Sequence, residues 1–397
     1  MNFGALNLSA LYAASNLRSE FDGDSNFDGR LDNTDNLLIT SNRRANVTGR
    51  FSALDIKNKI SLSLTETETR DPNASFQNDT TGRRLQGNWA AEKSFYKTHK
   101  VTVLAEVEDE NFENFGGVGA GQNQENNITN YALAGDYNYN QGPLSLTGSI
   151  RQDFNDRFDN ATTWRVGGGF ALSAIGGRLY GSYGTGVKNP TLTEIFGFFP
   201  GSFNGNPDIQ PETSEGFNIG YNQTLFGETA SSTVDYFQSD LENEILTIFN
   251  PDFTSTVQNS LAESSREGIE IEASWTPAKQ LDISGALTFL DAEEGDSEEI
   301  RRPDFTGRAQ ITWRPLEILS LTGTLDHTGS QLDTDFATFS NVELDSFTLF
   351  GANIGYDIND YITLSLRGEN LLDEDYQEVV GFNSPGRSVL FGLSARL

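Results

Sequence analysis

Twelve residues near the amino end carry the strongest metal-binding motif in the sequence: Asp24-Ser-Asn26-Phe-Asp28-Gly29-Arg30-Leu31-Asp32-Asn-Thr-Asp35. Side-chain oxygens fall at positions 1, 3, 5, 9 and 12 of the run, and Arg30 at position 7 offers its backbone carbonyl. That is the ligand order of a twelve-residue calcium loop, in which a hard cation gathers six to eight oxygens. Gly29 stands at position 6, where the chain turns sharply and a residue without Cβ adopts the dihedrals most cheaply. Leu31 would pack under the loop. Position 12 is Asp35 rather than Glu, a shorter reach for bidentate ligation, and Asp22 adds charge just upstream. The spacing predicts calcium, a structural ion in an exposed loop. The competing reading is a plain Asp- and Asn-rich loop in a chain with 57 acids.

Other chemistry finds little footing. There are two histidines, His99 and His327, and no cysteine, so neither a zinc site nor a nucleophile with its base can be assembled. The glycines of 116–121 and 181–186 do not open a helix and lack the Gly-Lys-Ser/Thr ending of a phosphate loop. A net charge of −30 excludes a nucleic-acid partner, which needs clustered Lys and Arg. The acids of 293–299, followed by Arg301 and Arg302, read as a solvated, locally paired loop. The sequence points away from an enzyme. One further set stands out: Phe196, Phe198, Phe199, Phe203 and Asn206, with Ile195, inside a stretch of Gly, Pro and Asn. Apolar residues in such a loop either pack on neighbouring loops and the membrane-interface girdle or line a site for a bulky ligand.

The elements that must carry these loops are strands. Ile60, Leu62 and Leu64 alternate with Ser61, Ser63 and Thr65, and Ile269, Ile271 and Ala273 with Glu270, Glu272 and Ser274. The pattern recurs to the end, where Val389, Phe391 and Leu393 oppose Ser388, Gly392 and Ser394. No run of 18 apolar residues exists, so no transmembrane helix is expected, although a barrel strand needs only about 9–11 alternating residues. Polar connections near 15–45, 69–82, 109–127, 153–162, 188–213, 238–266, 291–306, 328–344 and 370–386 are long. Between them lie short ones near 54–59, 93–99, 140–143, 173–177, 226–228, 276–280, 314–318 and 357–360. Strict alternation of long and short gives a sheet with one looped rim and one tight rim. The expected fold is all-β, an antiparallel transmembrane β-barrel of about eighteen strands, residues 1–397 forming a single domain. The short turns face the periplasm.

Two stretches carry a family resemblance. SYGTGVKNPTLTEIFG followed by GNPDIQPETSEGFNIGY, with Lys188, Pro190, Asn206, Pro207, Pro211 and Glu212, resembles the signature hairpin of TonB-dependent outer-membrane receptors. NLLDEDYQEVVGFNSPGR, with Asn370, Tyr376, Pro385, Gly386 and Arg387, is similar to their carboxy-terminal motif. The resemblance is nearest to cobalamin and siderophore receptors, some of which order their loops with calcium. It implies residence in a bacterial outer membrane among lipid and lipopolysaccharide, capture of a small-molecule nutrient at the extracellular loops, and a monomer. It also implies a 22-stranded barrel preceded by a plug that contacts TonB. Strand pattern begins here at residue 2, so a shortened amino end is expected, with TonB a partner only where a plug is present. Departing from the family's terminal aromatic, the last residue is Leu397. Two alternatives remain: a plugless passive pore, and a soluble all-β protein binding calcium or carbohydrate.

Overall fold

The structure, a computed structural model, describes residues 6–24, 30–72, 79–115, 123–199 and 201–396. Asn26, Asp28, Gly116 to Gly121 and Leu397 lie outside those residues, as does the side chain of Asp35.

From Asn7–Gly23 to Ser388–Ala395 the strands pair antiparallel with their neighbours along the chain. They form a 19-stranded sheet, in which Ser297–Glu298 is a two-residue addition to eighteen wall strands. Register sorts the side chains. Leu62 lies opposite Val47 and Gly87, and Leu64 opposite Ala45 and Leu85, so the apolar sets of successive strands fall on one face. That face is exposed: Leu62 keeps 55% of its surface, Ile150 58% and Val389 63%. The opposite face is polar and internally bonded. Ser61 donates to Asn88 at 2.6 Å, Gln86 to Glu106 at 3.1 Å and Arg151 to Glu106 at 2.9 Å. A polar interior with an apolar exterior inverts a soluble sandwich and suits a barrel wall bathed in lipid.

All seventeen connections alternate long and short, as expected. Several long ones are shorter than expected because the strands continue past the apolar band. Asp32–Ala53 runs 22 residues, which reduces the expected 15–45 connection to 24–31. Cross-strand charges sustain the ladder there: Glu66 receives Arg43 at 2.7 Å and Arg83 at 2.9 Å, and Arg70 reaches Asp79 at 3.1 Å. Two long loops contain hairpins of their own, Ile245–Phe249 with Ser255–Asn259 and Gln331–Asp335 with Ser340–Leu344. Among the described residues, Asn7–Gly23 and Ser388–Ala395 each pair on one side only. Among the described residues one short helix, Leu192–Phe196, interrupts the strands, and no described helix is long and apolar enough to cross a membrane.

Candidate functional site: the loop assembly at the barrel mouth

The strand Gly177–Lys188 ends at Asn189-Pro190, where proline fixes φ and withholds a ladder donor. Thr191 then caps the helix Leu192–Phe196. Its hydroxyl accepts from Glu194 N at 3.2 Å, and the Glu194 carboxylate accepts from Thr191 N at 2.7 Å, a reciprocal capping box. Gly197, at φ 85°, stops the helix, and a Cβ there would lie 2.6 Å from Gly205 N, so this turn admits only glycine.

Leu192, Ile195, Phe198 and Ile209 bury against Ile128 and Val257, with Phe112, Phe158, Phe196, Phe199, Phe203 and Ile245 packed around them. This is a small hydrophobic core built from loops, above a barrel that has a polar lumen. Phe198 is wholly buried and offers a ligand no surface in this conformation; Phe196, Phe199 and Phe203 are partly buried. Asn114, itself 1% exposed, donates to Phe198 O at 2.6 Å. Asn206 donates from Nδ2 to Val257 O at 3.0 Å. Glu212 binds twice: Lys188 Nζ at 2.9 Å and Ile245 N at 3.0 Å. Signature residues of the first motif thus tie the 189–211 loop to the Ile245–Asn259 hairpin. Pro207 is exposed and Pro211 half-buried beside them.

The second motif closes on itself. Asn370 Nδ2 donates to Glu374 O at 2.8 Å and to Pro385 O at 3.3 Å, and its Oδ1 accepts from Glu374 N at 2.9 Å. Arg387 pairs with Asp373 at 3.1 Å, and Tyr376 stacks on Phe347 with ring centroids 4.3 Å apart. Asn370, Tyr376, Pro385 and Gly386 also line a cavity of about 680 Å³ with Arg308, Asp326 and Arg367.

Between the motifs, Asp333 is a keystone. Its buried carboxylate accepts from Arg301 Nε at 2.7 Å, Thr334 N at 2.8 Å and Val380 N at 2.8 Å, joining three loops. Burial alone would raise its pKa, but the Val380 amide, Arg301 and the Thr334 amide hold it below the ordinary carboxylate value. Of the acids of 293–299, Glu293, Asp296 and Glu298 are exposed, as in a solvated loop, and the expected local pairing forms between Glu299 and Arg302, but Glu299 is also engaged from outside the loop. Glu299 is 10% exposed and receives Arg266 at 2.8 Å and Arg302 at 3.1 Å, while Arg266 also reaches Glu244 at 3.1 Å. Glu299 is drawn in because Arg266 projects from the neighbouring strand Ser264–Ala278.

Under the loop helix lies a polar chamber of about 610 Å³, bounded by Arg44, Arg84, Glu108, Glu110 and Asn130 on the wall and Asn189 to Thr193 above. The 189–196 segment therefore folds in over the mouth. Arg84 pairs with Glu108 and Glu110, whereas Arg44 makes no ion pair among the described residues.

At the predicted calcium loop, Asp32 opens the second strand opposite Gly23, and Asp35 lies further along that strand. Asp24 and Arg30 flank the segment outside the described residues. The Asp22 carboxylate accepts from Thr34 N at 3.2 Å. Sequence reasoning did not find Asn114, Glu244, Arg266 or Asp333, each joined to a residue 22 to 84 positions away with no local signal.

An eighteen-stranded wall with one looped rim, an apolar belt and a loop-roofed polar lumen defines an outer-membrane receptor-type barrel. The family description "TonB dependent receptor-like, beta-barrel" matches residues 2–371, and the chain belongs to that family, whose members are bacterial outer-membrane proteins. Its fold is similar to that of the ferric enterobactin receptor PfeA of Pseudomonas aeruginosa, with a TM-score of 0.81 at 16% identity over 98% of this chain and 68% of that one. The siderophore receptor PirA of Acinetobacter baumannii gives 0.81 at 14% over 98% and 68%. The ferric-catecholate import receptor Fiu of E. coli K12 gives 0.78 at 15% over 98% and 72%. In another PfeA structure the chain spans only 62% of the receptor's length.

Proposed function

We propose that this chain is the barrel of an outer-membrane receptor that captures a bulky ferric siderophore at its extracellular loops. The observation that carries the reading is the roofed chamber at the mouth. Loops tied to one another through Asn114, Glu212 and Asp333 form a pre-organised wall, and Arg44 faces the chamber without a carboxylate partner among the described residues. Family membership and the siderophore receptors among its structural neighbours support it. Import driven by TonB belongs to a protein that also carries a plug, since these residues form wall and loops. A monomer among lipid and lipopolysaccharide, and a calcium ion ordering the loop at Asp24–Asp35, complete the proposal. Phe196, Phe199 and Phe203 would support the ligand from behind.

The test is equilibrium binding to the purified protein of a ferric catecholate siderophore, a ferric hydroxamate and cobalamin. An anionic ferric catecholate should saturate a single site, and Arg44→Glu should weaken it about tenfold, roughly 1.4 kcal/mol. Binding of cobalamin alone would replace the siderophore assignment. Stable conductance with no binding of any of the three would favour the passive pore.

A further inference from the structure

The tight rim carries an unexpected set of residues. The turns that close it place bulky side chains at left-handed positions: Leu54 at φ 54°, Tyr96 at 49° and Phe226 at 52°. Tight hairpins with positive φ favour Asn and Gly there, because Cβ crowds the following carbonyl. These three side chains are also exposed, 74%, 91% and 73% respectively. Strain combined with exposure implies an environment that compensates for both.

The aromatic tips turn toward the lipid-facing side. Phe226 lies 6.2 Å from Trp275, and Tyr96 lies 6.4 Å edge-on to His99. Trp275 continues the outward row of Ile269 and Ile271. His99 continues the outward row of Val101 and Val103 and bonds Tyr137 at 2.7 Å. The apolar band therefore runs without a break onto the turn tips.

Charge singles out one of these turns. Of the chain's seven lysines, six (Lys57, Lys59, Lys93, Lys97, Lys100 and Lys279) lie within a few residues of a tight turn, in a protein of net charge −30. Glu92 engages Lys57 at 3.2 Å and Lys100 at 3.7 Å. Lys93 and Lys97 have no carboxylate partner among the described residues. Lys93 lies on the outward face, its Nζ 5.6 Å from the Phe95 ring.

We infer that the turn around Tyr96 is a binding site for anionic phospholipid of the inner leaflet of the outer membrane. Tyr96 and Phe95 seat in the interfacial zone, where aromatic rings with one wet edge partition favourably. Lys93 and Lys97 take the headgroup phosphate, and the His99–Tyr137 pair supports Tyr96 from the barrel side. The Phe226-Gly227-Glu228 turn shares the aromatic tip but carries an acid, so it anchors without selecting charge. The assignment rests on the barrel's orientation, with short turns on the periplasmic side, and not on the ligand captured at the opposite rim.

The chain has no cysteine, so Tyr96→Cys gives a unique labelling site. In protein purified from outer membranes and reconstituted in phosphatidylglycerol/phosphatidylcholine vesicles, a nitroxide at position 96 should be more accessible to oxygen than to a water-soluble nickel chelate. The reverse order overturns the seating. Spin-labelled phosphatidylglycerol should be selected over phosphatidylcholine by the unlabelled protein. Lys93→Gln and Lys97→Gln should each reduce that selectivity about fivefold, the equivalent of about 1 kcal/mol per lysine near an anionic surface. Equal selectivity in wild type and double variant overturns the headgroup site, as does full competition by inorganic phosphate, which would mark a free-anion site. Tyr96→Asn supplies the control for folding, since asparagine tolerates the left-handed turn. It should keep heat-modifiable migration in detergent while losing oxygen-side protection of a label at Thr98→Cys. Unchanged protection would remove Tyr96 from the site.

Discussion

Arg301 Nε donates to Asp333 Oδ1 at 2.7 Å, joining a side chain that is 40% exposed to one that is fully buried. The pair is more than a surface ion bridge, because the same carboxylate receives two backbone amides, one of them Val380 in a separate loop. Removing it leaves those amides and the guanidinium short of an acceptor. An orphaned buried donor costs about 1–3 kcal/mol. Asp333→Ala should therefore free the 329–346 and 370–387 loops, with limited proteolysis there accelerating about tenfold or more. The barrel's heat-modifiable migration should persist, because its ladders are untouched. Unchanged cleavage would show that the loops hold together without this contact.

The same carboxylate makes the latch sensitive to acid, and the sign follows from its lowered pKa. A group held below its unfolded value of 3.8 contributes its full stability above that pH. The contribution drains away as pH falls through 3.8 and on through the still lower folded value. Loop protection should be flat from neutral to about pH 4 and decline below it. Asp333→Asn, which cannot titrate, should remove that acid step while starting from weaker protection. A decline centred near pH 6 would assign the step to another group.

Ladder and rim were legible in the sequence for a physical reason. Period-two alternation such as Ile60-Ser61-Leu62-Ser63 records the two faces of a strand directly, and turn residues mark where it breaks. Strand length was less legible. Arg43, Arg70 and Asp79 fall within the expected connections 15–45 and 69–82, yet cross-strand pairing keeps them in the ladder beyond the band. The loop core was half legible. Phe198 announced itself as an apolar residue in a polar stretch, but its partners Ile128 and Val257 are distant in sequence. Asp333 gave no signal, since one acid among 57 differs from the rest only by what folds onto it.

Phe198 offers a direct separation of packing from ligand contact. It is fully buried, packs edge-on against Phe112 at 4.7 Å and holds φ 59° under the Asn114 bond. Phe-to-Ala changes in a packed core cost about 3–5 kcal/mol. Phe198→Ala should thus melt the 189–211 loop, seen as new cleavage there, and weaken siderophore capture as a consequence. Phe196→Ala removes a partly buried ring that lies beneath Arg157 at 4.7 Å and should disturb the loop far less. Loss of binding in Phe196→Ala with the loop still protected would place that ring in the ligand's path. Loss only in Phe198→Ala, together with loop melting, would leave the aromatics as scaffold.

Calcium supplies the last expectation. Asp24, Asp28, Asp32 and Asp35 bring four carboxylates into twelve residues, with Asn26 and the Arg30 carbonyl as neutral oxygens. Crowded like charges repel, and a divalent ion bound among them offsets that repulsion. The strand ends supply part of the geometry, since Gly23 pairs with Asp32 and fixes how far apart the two arms of the hairpin stand. Affinity in an extracellular module is expected to be weak, on the order of 0.1–1 mM. Millimolar calcium should protect residues 20–36 from proteolysis, and magnesium should do so poorly because it demands a smaller octahedral shell. Asp28→Ala should abolish the calcium effect without altering heat-modifiable migration. Equal protection in calcium and in chelator would reduce the segment to an acidic loop, and equal protection by magnesium would mark simple charge screening rather than a coordination site.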